Sequence, residues 1–172
     1  IIALNRGAAS VFQRDWGVII NWKYNQPPHY LESGTELYDD LALAYSAGAK
    51  YSIVFSYPNL TGTEYGILEE EHFSALKKFW ANLQANPNSF GDNHPDAAYV
   101  VPKDYGFGFR RVDDLIWGLF YSDNLSEKIY DDVNTLTNRY GAKFDILYDE
   151  PEVIVPLLSG YSQVFYWNQT ID

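Results

Sequence analysis

Residues 16–56, WGVIINWKYNQPPHYLESGTELYDDLALAYSAGAKYSIVFS, hold two apolar runs with an amphipathic segment between them. Trp16-Gly17-Val18-Ile19-Ile20-Asn21-Trp22 is rich in β-branched and aromatic side chains and too short for a helix, so it reads as a strand buried on both faces. Leu37, Leu41, Ala44 and Tyr45 then recur at helical spacing behind Gly34-Thr35-Glu36, and Gly48 stops that helix. Residues 51–57, YSIVFSY, form the next strand, closed by Pro58. Strand, helix and strand in that order specify parallel pairing through a right-handed crossover.

The alternation continues along the chain. A helix from about Glu69 to Gln84 carries Phe73, Leu76, Trp80 and Leu83 on one stripe, with three acids in its first turn where the macrodipole favours them. Asn86-Pro87-Asn88 ends it. Residues 97–101 form a strand, and the helix 126–140 shows Ile129, Val133, Leu136 and Tyr140 in register, with Asp123 or Asn124 as its cap and Gly141 as its stop. Residues 144–148 and 161–167 are two further strands. The fold class is therefore α/β, parallel strands with crossover helices.

Two architectures fit. One is the last units of a (β/α)8 barrel followed by a small flavodoxin-like layer, since a whole barrel takes about 250 residues. The other is a complete open doubly wound sheet. The Pro/Asn/Gly-rich segment 86–95 reads as a linker, which gives barrel units over 1–90 and a flavodoxin-like segment over 91–172.

Composition narrows the function. The 172 residues are 47% hydrophobic and 17% aromatic, with 15 Tyr, and carry a net charge of −11. That balance argues against a phosphate-backbone partner, so nucleic acid is not expected. No apolar run has the roughly 20 residues a bilayer crossing takes, so no membrane partner is expected either. Cys is absent, which removes disulfides and thiolate metal sites; Met is absent too, which reads as a processed or partial chain and also suits a thermophile. Three sequons, at Asn59, Asn124 and Asn168, point toward an extracellular or cell-surface glycoprotein.

In either architecture ligands gather beyond the carboxyl ends of parallel strands. There the sequence places Trp22, Lys23, Tyr24, Asn25 and Glu32 after the first strand, Glu64 after the second, Lys103, Asp104 and Tyr105 after the third, and Asp149 and Glu150 after the fourth. Aromatic faces beside amide and amine groups suit a sugar, whose C–H face packs on a ring while its hydroxyls take hydrogen bonds. The same loop also reads as a rigid rim element held extended by Pro27-Pro28. Glycosidic hydrolysis needs two carboxylates, and Glu32 and Asp104 are candidates, although in a chain with 23 acids each reads more readily as a solvated charge or a helix cap. The three histidines, His29, His72 and His94, lack ligand spacing, so no metal and no cofactor is expected.

The stretch RGAASVFQRDWGVIINWKYNQPPHYLESGTELYDDLALAYSAGAKYSIVFSYP resembles the later units of a (β/α)8 glycoside hydrolase, in which a helix ending in WGV leads into a substrate-facing strand. AYVVPKDYGFGFRRVDDLIWGLF, KFDILYDEP and YSQVFYWNQT are similar to the flavodoxin-like or amidotransferase-like segment that follows the barrel in β-galactosidase-like hydrolases. The resemblance implies a carbohydrate-active protein that hydrolyses O-glycosidic bonds by paired carboxylates, an enzyme if the complete barrel is present. The family's Asn-Glu pair has no counterpart here, and no expected strand ends in Glu. Partners implied are a carbohydrate and either the amino-terminal remainder of the same protein or further copies of it. A non-catalytic surface protein assembling through Tyr-rich interfaces, and an open-sheet small-ligand binder, are the alternatives.

Overall fold

The computed structural model describes residues 1–24, 30–56, 68–106 and 122–171, with backbone only at 22–24, 30–31 and 56. The chain divides into two compact units, residues 15–92 and residues 1–14 together with 93–172.

In the unit 15–92, β1 (Gly17–Tyr24) lies at the centre of a three-stranded sheet. It pairs in parallel with β3 (Tyr51–Ser56) and antiparallel with the two-residue β2 (Tyr30–Leu31). Helix α2 (Gly34–Ser46) connects β2 to β3, and α3 (Glu70–Ala85) follows β3. Ser33 starts α2 with a capping box: its Oγ accepts from the Glu36 N–H at 3.2 Å, and Glu36 Oε2 accepts from the Ser33 N–H at 2.8 Å. Gly48, at φ +90°, ends the connection to β3 in a conformation that favours glycine.

Ile20, Leu37, Leu41 and Ala75 form the core of this unit, with Val18, Val54, Leu76 and Phe79 packed on it. Both helices therefore cover the same face of the sheet. On the other face Ile19 is 68% exposed, Tyr51 56%, Ile53 55% and Phe55 46%. This corrects the expectation of a first strand buried on both faces: the unbroken apolar run marks two apolar faces, and only one carries helices. The α3 stripe also differs from expectation. His72, Ala75, Leu76 and Phe79 turn inward, while Phe73 and Trp80 lie on the exposed side.

The second unit is built on β4 (Ala97–Val101), flanked by β5 (Phe144–Tyr148) and β6 (Gln163–Tyr166), all parallel, in the order β5-β4-β6. Its helices are α1 (Ile2–Phe12), α4 (Ser126–Tyr140) and α5 (Pro151–Leu158). Every residue of β4 is buried. Ala97, Tyr99 and Val101 pack with Ile129, Val133 and Leu136 of α4, whereas Ala98 and Val100 pack with Leu147 and with Ile154 of α5. Successive β4 side chains point to opposite faces, so α4 and α5 cover opposite sides of this sheet. The strands of the described residues thus fall into two sheets rather than one complete open sheet.

Helix α1 ends at Phe12, with Gln13 at φ 50°, and does not run on to Trp16-Gly17-Val18 as the resemblance implies. It packs on β5, and a Cβ on Gly7 would sit 2.2 Å from the Ile146 carbonyl oxygen, so glycine alone permits this approach. Arg6 fixes the contact: Nε donates to Asp145 Oδ1 at 2.7 Å, and Nη2 donates to the carbonyls of Ala142 and Phe144. Tyr161 Oη donates to the other Asp145 oxygen at 2.8 Å. The buried Tyr99 hydroxyl donates to Asp132 of α4 at 2.6 Å, and Lys128 pairs with the same carboxylate. Each buried polar group named here thus meets a partner.

Candidate acid site at the start of helix α2

The hairpin formed by β1 and β2 decides where Glu32 lies. Lys23 pairs with Leu31 and Tyr24 with Tyr30, so the chain folds back on itself and the next residue, Glu32, returns beside the carboxyl-terminal end of the parallel strand β1. Although Glu32 is ten residues beyond Trp22 in sequence, it is one residue past a strand in space. It then enters α2 through the Ser33 cap.

Glu32 is 2% exposed, and its Oε1 is buried without a hydrogen-bond partner among the described residues. Burial pushes its carboxyl up to about 7, helped by repulsion from Asp40 and Glu36 and by a side-chain hydrogen bond with Asp40. Asp40 is raised too, first by burial and then by Asp39 and Glu36, while its hydrogen bond with Glu32 acts in the lowering direction. Both carboxyls are thus raised, by burial first and then by the negative charges of their neighbours. Glu36 and Asp40 lie four residues apart on α2, the spacing that stacks side chains on one helix face, and Glu32 lies just before the Ser33 cap of that helix.

The segment that carries Glu32 is held from α3. The His72 ring, fully buried, donates from Nε2 to the Glu32 carbonyl at 2.6 Å, while its Nδ1 accepts from the Glu69 N–H at 3.0 Å. Glu71 Oε2 accepts from the Gly34 N–H at 2.8 Å. A Cβ on Gly34 would lie 2.6 Å from the Glu71 carbonyl oxygen, so the two chain segments touch backbone to backbone. Beside this junction is an open groove of about 660 Å³, lined by Gly34, Thr35, Tyr38, Glu71, Ser74 and Lys78 among others. Lys78 stands over the Tyr38 ring at 4.1 Å. Glu32 does not line that groove.

The other sequence candidates distribute as follows. Trp22, Lys23 and Tyr24 belong to the end of β1, where only the backbone is described; Asn25, Asn59 and Glu64 lie outside the described residues. Asp104 is in the second unit, exposed, in a left-handed turn at φ 59° just beyond β4. Lys103 beside it faces Glu150 at 3.8 Å. Tyr105 is 6% exposed within the core of that unit, its hydroxyl donating to Asp123 at 2.8 Å. Burial pushes that hydroxyl up to about 12. Its evident work is to fix the start of α4, since Asp123 in turn accepts from the Leu125 N–H. Asn124 and Asn168 are exposed.

Among the described residues no group of three or more His, Asp or Glu could hold a metal ion, and no helix is long and apolar enough to cross a membrane. No protein-family model, no curated protein and no solved structure matches the chain. The site is therefore defined by its own chemistry: a carboxylic acid raised to about 7, just past the antiparallel strand β2 and beside the last residues of β1.

Proposed function

We propose that the chain forms part of a carbohydrate-active, glycoside-hydrolase-like protein, in which Glu32 is the proton donor to a glycosidic oxygen. The observation that carries the reading is the Glu32 carboxyl itself, buried beside the end of β1 and protonated up to about pH 7. Departure of a sugar alkoxide needs a proton at the bridging oxygen, and hydrolases obtain one from a carboxylic acid whose environment raises its pKa. The negative charge of Asp40 helps to keep the proton on Glu32. The opposing carboxylate comes from outside this pair.

Support for barrel units over 15–92 is topological. Adjacent parallel strands with the crossover helix α2 and the following helix α3 on one face suit a closed barrel, and the apolar face bearing Ile19, Tyr51 and Ile53 is what its interior would bury. The parallel sheet β5-β4-β6 with helices on both faces suits a flavodoxin-like layer. Exposed Asn124 and Asn168 are compatible with an extracellular glycoprotein.

A glycan array and a panel of aryl glycosides, applied to the full chain and to Glu32→Gln, test the reading. The expected result is a retained glycan, with any turnover falling at least about 100-fold in the variant. Failure to bind or cleave any glycan would overturn it. A second reading has its own observation: Phe73 and Trp80 expose more than half their surface on one side of α3. Such aromatic area suits a non-catalytic assembly protein. Self-association abolished by Trp80→Ser, with no glycan bound, would favour that alternative.

A further inference from the structure

The contacts around Glu32 make a case for a residue that the sequence offers only as a failed metal ligand. Four bonds fix the chain just before α2, and two of them come from neighbouring residues on the first turn of α3. His72 donates to the Glu32 carbonyl at 2.6 Å and Glu71 accepts from the Gly34 N–H at 2.8 Å. The other two make up the Ser33 capping box. We propose that His72 is a positioning residue: with Glu71 it clasps residues 32–34 against α3, and by fixing the Glu32 backbone it holds the Glu32 side chain in its buried seat.

The imidazole suits this work at both nitrogens. Nδ1 takes the Glu69 N–H, one of the donors left open at a helix start, so the ring carries its hydrogen on Nε2 and directs it to the Glu32 carbonyl. One side chain therefore caps α3 and grips a segment forty positions earlier in sequence. An Ala would lose both bonds. A Gln can reproduce both, with its carbonyl oxygen as the cap and its amide N–H as the grip, whereas a shorter Asn can cap the helix but falls short of Glu32. The groups that bear on the Glu32 carboxyl are Asp40 and Glu36 from α2, with Glu71 and His72 at the backbone of its segment from α3.

This inference rests on Glu32 being the acid of the proposed site, and its test is independent of any sugar. The side-chain carboxyl carbon of Glu32 is followed by NMR across a pH titration in the wild-type chain and in His72→Gln, His72→Asn and His72→Ala. The positioning role requires the Gln variant to keep the wild-type midpoint. The Asn and Ala variants are expected to fall by about one pH unit or more toward the ordinary carboxyl range as water reaches the group. Should Ala fail to fold, Asn still decides the matter, because it keeps the helix cap. An unchanged midpoint in folded His72→Asn overturns the inference. Loss of glycan binding by the wild-type chain would sink the carbohydrate reading and leave these midpoints untouched.

Discussion

Replacing Glu32 by Gln changes how stability depends on pH, and the structure sets the sign. The Glu32 carboxyl is raised from 4.5 to about 7 in the folded chain, by burial first and then by Asp40 and Glu36. A raised carboxyl binds its proton more tightly when folded than when unfolded. Its stabilising contribution is complete below about pH 4.5 and is lost as pH climbs through about 7. At about 1.4 kcal/mol per pH unit the loss is bounded near 3.5 kcal/mol, and relaxation of the surroundings brings the expected figure to about 1–3 kcal/mol. Glutamine keeps the shape and cannot ionise. Urea midpoints for residues 15–92, followed on their amide resonances at pH 5 and pH 8, should fall more for the wild type than for Glu32→Gln by that amount. Parallel pH dependence in the two chains would refute the reasoning.

The buried Arg6–Asp145 contact should be costly to break from one side: Arg6→Met leaves a buried carboxylate without its guanidinium and should cost about 3–5 kcal/mol in urea unfolding, whereas Arg6→Met combined with Asp145→Leu should recover at least half. A single-variant loss below about 1 kcal/mol would contradict this. Gly7→Ala drives a methyl into the Ile146 carbonyl and should destabilise the unit that includes α1 by at least about 2 kcal/mol, read by the same assay. Ser33→Ala removes the α2 cap and should cost about 1 kcal/mol, with faster amide exchange confined to the first turn of α2.

Much of the fold was legible because several elements are specified locally. The strand at 97–101, the helix at 126–140 and the strand at 144–148 coincide with β4, α4 and β5, where burial is dense and the helix carries a clean apolar stripe. Helix α5 was not: PEVIVPLL has Pro at its first position and again at Pro156, and its apolar run has no polar face to reveal a helical period. Helix α1 is rich in small residues whose value is close approach to β5, a tertiary property. The two-residue β2 is too short for any periodicity, yet it is what returns Glu32 to the end of β1.

For the site, Glu32 was visible as a candidate and its setting was not. The four-residue spacing of Glu32, Glu36 and Asp40 and the Ser33-x-x-Glu36 box were the available signals. His72 carried none, because its role depends on a carbonyl forty residues away. Tyr105 illustrates the opposite case, an aromatic in a suggestive loop whose hydroxyl is already committed to Asp123.

The most direct test of the whole account is the midpoint at which the Glu32 carboxyl of the wild-type chain gives up its proton, read by carboxyl-carbon NMR. A midpoint close to 7 is what a buried acid repelled by Asp40 and Glu36 must show. A midpoint near 4.5 would mean a solvated carboxylate, with no proton to deliver at neutral pH.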